Sequence, residues 1–251
     1  MRRALGLAVL VLLATLAVPA VAAAPTIALP RITIGAGAAQ GPQDVSVALQ
    51  IMFLLTVLSL APAILLLMTP FTRIVIVLSF LRQALGTQSI PPNQVVIGLA
   101  MFMTFFLMRP VGETVNAQAL RPYLAGRIGW EEALGKAAAP VRRFMLAQTQ
   151  ERDLALFVSL SKTPRPRTAD DIPFLVLVPS FVISELRTAF TMGFLLFIPF
   201  LVIDMVVAST LMAMGMLMLP PVTISLPFKV LLFVLVDGWN LIARSLAASF
   251  R

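Results

Sequence analysis

The sequence predicts an all-α, membrane-associated protein built from apolar helical hairpins, and its composition gives the first reason. Hydrophobic residues fill 59% of the 251 positions and charged residues only 12%, against about 25% charged residues in soluble domains. Long apolar segments recur along the chain, and prolines and single charges lie inside them. Lipid cannot satisfy such groups. We therefore expect the hairpins to pack mostly against other protein.

The beginning of the chain, residues 1–22, has the features of a cleavable signal peptide. The start "MRR" is positively charged, residues 4–18 are apolar, and small residues precede a cleavage site that leaves Ala23 near the mature N-terminus. An uncleaved helical anchor is the alternative, although the apolar run is shorter than the ~20 residues that a span needs. Residues 23–44, rich in Ala, Pro and Gly, are predicted to be a flexible lead-in.

A first apolar helical hairpin is predicted for residues 45–110. Residues 45–68 are long enough to span a membrane, whereas residues 95–108 supply only fourteen apolar positions, too few for an upright crossing of ~30 Å. If the signal peptide places the mature N-terminus outside, the connection 69–94 lies inside and the segment after residue 110 lies outside.

Residues 111–171 are more polar and are predicted to form a small extramembrane helical region. Apolar residues such as Leu134, Phe144, Met145 and Leu154 recur with a helical period there.

A second apolar hairpin with a methionine-rich loop is predicted for residues 172–251. Its first part, 172–219, is far longer than one span, and four residues are expected to break it: Pro173, Pro179, Gly193 and Pro199. The loop reads "LMAMGMLMLPP", in which a glycine and two prolines end the helix. Its four methionines are Met212, Met214, Met216 and Met218. Such a stretch is either core filling or, if it lies on a pore, a soft lining.

Five of the charges in the second hairpin lie within its apolar segments and are candidates for pairing: Glu185, Arg187, Asp204, Lys229 and Asp237. Each charge would cost ~3 kcal/mol if it faced lipid near the centre of the bilayer. We therefore expect these residues to form structural ion pairs inside protein. A proton relay is the alternative. Glu185 and Arg187 are two positions apart and cannot face each other on one helix. Lys229 is expected to pair with at least one of the carboxylates.

The residue inventory excludes most enzyme chemistry. The chain has no cysteine and no histidine, which removes disulfides, thiolate and imidazole metal sites and histidine-based triads. We expect no enzyme activity, no cofactor, no metal site and no nucleic acid as a partner. Ser225 and Lys229 are spaced like a Ser-Lys hydrolase dyad, but Pro227 lies between them. A proton-coupled solute transporter is the other alternative class.

Three stretches of the sequence resemble the FliP family of flagellar type III export-gate proteins. They read "MTPFTRIVIVLSFLRQALGTQSIPPNQV" (68–95), "PSFVISELRTAFTMGFLLFIPFLVIDMVVASTLMAMGMLMLPP" (179–221) and "ISLPFKVLLFVLVDGW" (224–239). The resemblance covers nearly everything from residue 45 to residue 251 and extends to virulence type III counterparts. The signal peptide and the first stretch favour the flagellar branch.

The resemblance implies a subunit of an export gate at the flagellar basal body. It implies a hetero-oligomer in which a ring of about five copies assembles in a helical arrangement with FliQ-like and FliR-like subunits and further export-apparatus proteins. This ring lies in the bacterial inner membrane or is raised above it on the periplasmic side, and unfolded flagellar proteins pass through its centre. The methionine loop is then expected to line the conduit, with Met216 and Met218 as the best pore candidates.

Overall fold

The computed structural model describes residues 51–52, 55–56, 59–60, 62–87, 90–161, 168, 171–216 and 219–250. The chain divides into two compact units, Met1–Met52 and Phe53–Arg251, and every element named below belongs to the second. The expected signal peptide and lead-in lie outside the described residues, and so does Met218. All regular structure in the described part is helical, without a strand, which confirms the all-α prediction for that part.

Helices α1 (Pro62–Met68) and α2 (Phe71–Ala84) meet at an angle of 77°. The break falls at the Thr69-Pro70 step, where proline has no N–H to continue the helical pattern. Threonine hydroxyls satisfy the carbonyls at the end of α1: Thr69 donates to Leu65, and Thr72 donates to Leu66 at 2.6 Å. Carbonyl groups that the bend frees therefore find hydrogen-bond donors nearby. Backbone polar groups in an apolar segment require such partners.

Helix α3 (Asn93–Val115) runs through a π-helical turn (Asn116–Leu120) into the short α4 (Arg121–Leu124). Together they form one helical segment of 32 residues, about 48 Å long at 1.5 Å per residue. The helix thus extends well beyond the fourteen apolar positions, and the boundary expected near residue 110 falls inside it.

Helices α5 (Trp130–Gln148) and α6 (Glu151–Leu160) follow. Glu131 and Glu132 lie in the first turn of α5, where carboxylates interact favourably with the helix dipole.

Helix α7 (Phe174–Ala213) has 40 residues and begins directly after Pro173. The expected breaks at Pro179, Gly193 and Pro199 are wrong, because the helix continues through all three. A proline removes one backbone donor, which a long helix tolerates where neighbouring groups compensate. Gly193 has a packing role instead: a Cβ there would lie 2.5 Å from Cδ2 of Phe80, so the glycine permits the close approach of α2.

Helices α8 (Pro221–Leu235) and α9 (Gly238–Ala248) meet at 65°. Asp237 at the bend is left-handed, with φ of +50°. A Cβ at Gly238 would lie 2.1 Å from Cε2 of Phe233, so the tight turn requires glycine.

In the described part of the second unit, the buried apolar residues form two cores, and α7 contributes to both. The first joins α2, α3, α7, α8 and α9 through buried residues that include Ile74, Val77, Leu81, Ala100, Ala189, Phe200, Phe233 and Leu246. The second joins α5 and α6 to the start of α7 around Met145, Val176, Leu177 and Phe181. By length and composition, Asn93–Leu124 and Phe174–Ala213 are apolar enough to cross a membrane, and the two bent pairs raise the number of candidates in the described part to four.

Candidate gate loop and buried ion pairs

The loop after α7 begins with a defined helix end. The amide of Gly215 donates to the carbonyl of Met212 at 3.0 Å, and the amide of Met216 donates to the carbonyl of Leu211 at 3.0 Å. This is the Schellman arrangement, in which the residue after the helix is left-handed. Gly215 has φ of +74°, a conformation that glycine adopts without a Cβ penalty. The helix ends where the glycine and prolines of the sequence predicted.

The methionines that the structure describes are exposed around this turn. Met212 is 59% exposed, Met214 69% and Met216 44%. They come from the last turn of α7, from its cap and from the residue after the glycine, so they leave the backbone in different settings. An apolar groove of about 510 Å³ lies beside the loop between α7 and α8. Its lining includes Ile203, Val207, Leu211, Ile224 and Phe228.

A charged cluster joins α7 to α8, the two helices that flank this loop. Lys229 Nζ donates to Asp204 Oδ2 at 2.6 Å, and the Ser225 hydroxyl donates to Asp204 Oδ1 at 2.5 Å. Lys229 is only 3% exposed, whereas the Asp204 side chain is 29% exposed. Asp204 lies about two and a half turns before the end of α7. The cluster therefore fixes the two helices from which the loop emerges and leaves one side of its carboxylate open.

A second ion pair, between Arg73 of α2 and Glu185 of α7, is fully enclosed. Arg73 Nε donates to Glu185 Oε2 at 2.9 Å, and Nη2 donates to Glu185 Oε1 and to Gln148 Oε1, the latter at 3.2 Å. Nη1 donates to the carbonyl and hydroxyl of Ser249 at 2.9 and 3.1 Å, and the Phe250 ring lies 3.9 Å from Cζ. All five N–H donors of the guanidinium are thus used.

A third cluster joins α6 to α7. Arg187 Nη2 lies 2.9 Å from Asp153 Oδ1, and the Ser184 hydroxyl donates to Asp153 Oδ2 at 2.8 Å. The backbone amide of Gln150 donates to the Ser184 oxygen at 3.0 Å. Glu185 and Arg187 thus have partners on different helices, as their spacing along α7 requires.

Asp237 lies apart from these clusters. It is exposed at the bend between α8 and α9. Among the residues that the structure describes, no ion pair involves it.

Sequence reasoning missed two of the charged partners, Arg73 and Asp153. Arg73 falls in the segment 69–94 that we expected to be a connection, but this segment contains α2, whose residues Ile74, Val77 and Leu81 are buried. Arg73 could have been found in the sequence as a single positively charged residue within an apolar segment, which is how Lys229 was found. Asp153 lies in the amphipathic "ERDLALF" stretch, where nothing separates a buried carboxylate from a solvated one.

The geometry of Ser225 and Lys229 differs from that of a Ser-Lys hydrolase dyad. Ser225 and Lys229 both donate to Asp204, which differs from a dyad in which the amine accepts the proton of the hydroxyl. In the described ranges, no group of three or more acidic, histidine or cysteine side chains is placed to hold a metal ion.

Long apolar helices, ion pairs between them and a capped loop that exposes thioethers define a helical protein of the membrane-associated class. Within that class, the chain belongs to the FliP family, whose profile matches residues 54–246. The resemblance recognised in the three sequence stretches is thereby confirmed.

Three relatives illustrate the similarity, and each bears the name flagellar biosynthetic protein FliP. The protein of Bacillus subtilis (strain 168) is 59% identical over 209 residues, which are 83% of this chain and 95% of the relative. That of Pectobacterium carotovorum subsp. carotovorum is 56% identical, over 84% of this chain and 81% of the relative. That of Caulobacter vibrioides (strain ATCC 19089 / CIP 103742 / CB 15) is 51% identical, over 100% of this chain and 92% of the relative.

Proposed function

We propose that this chain is a structural, non-enzymatic subunit of the flagellar type III export gate in the bacterial inner membrane. Membership of the FliP family is the observation that carries the proposal, since its relatives are named flagellar biosynthetic proteins. In this role the chain forms part of the conduit through which unfolded flagellar proteins cross the membrane. It needs no cofactor, because a conduit performs no chemistry on its substrate.

The chain works in a ring of about five copies, arranged helically with FliQ-like and FliR-like subunits and further export-apparatus proteins. Its exposed apolar surface supports such an assembly, since large apolar patches mark contacts with protein or lipid. Side chains that are more than half exposed include Phe102, Phe106, Phe194, Leu231 and Leu235. In the ring, these surfaces lie in the membrane or are raised above it on the periplasmic side and covered by neighbouring subunits.

The methionine loop forms the constriction of this conduit. Met212, Met214, Met216 and Met218 are its candidates, and the exposure of the first three supports the idea. Thioether side chains are apolar enough to exclude water and ions, yet flexible enough to move aside for a polypeptide. A narrow apolar ring can close to ions by dewetting.

The charged groups hold the helices that carry this loop. We assign structural roles to Glu185, Arg187, Asp204 and Lys229, which the distances to Arg73 and Asp153 and within the Asp204 cluster support. Asp237 is exposed at a bend, and we assign it a partner on a neighbouring subunit.

The domain organisation belongs to the same proposal. Residues 1–22 are a signal peptide, 23–44 a lead-in, 45–110 and 172–251 the two hairpins, and 111–171 the extramembrane helical region. N-terminal sequencing of the protein from its native membrane tests the first boundary, which predicts a start near Ala23. Recovery of an intact Met1 would contradict both the cleavage and the assigned orientation.

The gate is tested by replacing Met216 and Met218 with alanine and measuring ion flux and secreted flagellar protein in the same cells. We expect nearly normal assembly with increased ion conductance. Met205→Ala is the matched control, because Met205 is also exposed on α7 but lies away from the loop. Unchanged conductance at a normal amount of complex would return these methionines to ordinary packing. Solute uptake by the reconstituted chain alone would favour a transporter instead.

A further inference from the structure

Two helix ends in this chain have the same backbone geometry but different surroundings. At the end of α7, Gly215 is left-handed and is followed by an exposed methionine. At the end of α4, Gly126 has φ of +67°, and its amide donates to the Tyr123 carbonyl at 2.9 Å. The amide of Arg127 donates to the Pro122 carbonyl at 2.9 Å. Both ends are therefore Schellman motifs, and only the first leads into the methionine loop.

We propose that Gly215 is a positioning residue of the gate: its left-handed conformation directs the thioether of Met216 to the constriction. The inference rests on the proposed function, because it assigns to that gate the residue that sets the direction of one of its side chains. Gly215 itself has no side chain, so it acts only through the path of the backbone.

The requirement at this position concerns conformation rather than space. No atom lies within 4 Å of a Cβ built on Gly215, so an alanine fits sterically. An L-residue nevertheless resists φ of +74°, because its Cβ approaches its own backbone in the left-handed region. Relief of that strain turns the chain at residue 215 and redirects everything that follows it.

The change reaches Met216 before any other methionine that the structure describes. Met212 and Met214 precede the glycine, in the last turn and at the cap of α7. Met216 follows it directly, and its amide makes the hydrogen bond of the motif that spans more residues, to the carbonyl of Leu211. A substitution at Gly215 therefore redirects Met216 and leaves Met212 in place.

The experiment compares three substitutions at two positions in the assembled complex. Gly215→Asn, Gly215→Ala and Gly215→Val are matched by the same changes at Gly126, with Met216→Ala as the reference for a leak. Asparagine tolerates the left-handed region best among L-residues and a β-branched valine tolerates it least. We expect conductance to rise from Asn through Ala to Val at position 215, and Gly215→Val to approach the leak of Met216→Ala.

At position 126 we expect no rise in conductance from any of the three substitutions. The amount of assembled complex corrects both series for loss of stability. Equal conductance in the two series would overturn the inference, because strain at a helix end would then have no specific effect on the gate.

A chemical probe reports the position of residue 216 independently of conductance. The chain has no cysteine, so Met216→Cys introduces a single thiol whose reaction with a membrane-impermeant maleimide is measured. We expect Gly215→Val to change the labelling rate at residue 216, whereas Gly126→Val leaves it unchanged. An unchanged rate in both backgrounds would overturn the inference. If Met216→Ala does not leak, the gate itself is wrong, and the labelling rates still decide whether Gly215 positions residue 216.

Discussion

Arg73 and Lys229 are both buried cations paired with a carboxylate, but the two ion pairs differ in exposure and in the helices that they join. Arg73 is enclosed, uses every donor and connects α2 with Glu185 on α7, with the end of α5 and with residues after α9. Lys229 connects only α8 with the adjacent α7, through a carboxylate that is partly open. The first pair joins elements that are far apart in sequence, whereas the second closes one hairpin.

The Arg73 pair therefore stabilises the tertiary fold of the unit, whereas the Lys229 pair stabilises only the contact between two adjacent helices. Removing one member of an enclosed pair leaves a charge with neither water nor a partner, which is strongly destabilising. At the open pair, solvent can reach Asp204 when its partner is lost, so the penalty is smaller. The open pair also joins the two helices that flank the loop that we assign to the gate. Its loss is therefore expected to affect assembly of the hairpin more than folding of the whole unit.

The largest effect is expected at the enclosed pair. Glu185→Ala leaves the Arg73 guanidinium buried without its carboxylate and should lower the free energy of unfolding by about 3 to 5 kcal/mol. Thermal unfolding of the detergent-solubilised complex, or the amount of protein in membranes, measures the loss. Glu113→Ala removes an exposed carboxylate with its own arginine partner and serves as the control without a measurable change.

A double variant sharpens the same prediction. Arg73→Met combined with Glu185→Leu replaces the pair with apolar groups of similar volume, and such exchanges are often neutral or stabilising. We expect it to recover part of the stability that Glu185→Ala loses. If the double variant is less stable than the single one, the polar contacts of Arg73 with Gln148 and Ser249 contribute more than the ion pair itself.

A somewhat smaller effect is expected where α2 crosses α7. Gly193→Ala places a methyl group 2.5 Å from the Phe80 ring, and such overpacking destabilises by about 1 to 3 kcal/mol. Gly98→Ala is the control, since its Cβ meets no atom within 4 Å. The unfolding transitions of the two variants are compared. Equal stability would mean that α2 moves away from α7 at little cost, and the region around Arg73 would be less rigid than we infer.

At the open pair, Lys229→Ala is expected to lower the free energy of unfolding by about 2 kcal/mol and to reduce assembly with partner subunits. The mass of the extracted complex measures assembly. Lys136→Ala, which breaks an exposed pair with Glu132, should assemble normally. If Lys229→Ala assembles normally and only export fails, Lys229 has a functional charge and the pairing role is wrong.

The smallest effect is expected at the hydroxyl in the same cluster. Ser225→Ala removes one hydrogen bond to Asp204 and should cost about 1 kcal/mol, with secretion unchanged. Ser209→Ala on the exposed side of α7, where the hydroxyl only donates to the Met205 carbonyl, provides the comparison. Loss of secretion by Ser225→Ala in a fully assembled complex would revive the hydrolase alternative.

The sequence was informative where one local property decides the structure. Apolar composition predicted helices, and Gly215 with two prolines predicted the end of α7, because these residues act on their own backbone. The scarcity of charges in the second hairpin also predicted that Lys229 needs a carboxylate nearby. From the sequence alone, Glu185, Asp204 and Asp237 were equally good candidates for this carboxylate. The structure identifies Asp204, whose Oδ2 lies 2.6 Å from Lys229 Nζ.

The sequence was uninformative where tertiary contacts decide. Pro179 and Pro199 were expected to break α7, but the 40-residue helix continues through both, although proline disfavours a helix interior by about 3 kcal/mol. Arg73 and Glu185 are 112 positions apart, and no periodicity connects positions on separate helices. The π-helical turn at Asn116–Leu120 carries no glycine or proline that would have marked it.

The enclosed guanidinium also bears on the order in which the chain is made. A polypeptide leaves the ribosome from its N-terminus, and its early parts fold first, so α2 is present long before its acceptors. Gln148 is synthesised next, then Glu185, and the oxygens of Ser249 come last of all. Until then, Arg73 has donors that only water or lipid headgroups can satisfy. The last two hydrogen bonds of this arginine therefore form only after α9 has been made, and a ribosome that stops just before residue 249 releases a chain in which the Nη1 donors of Arg73 lack these two acceptors.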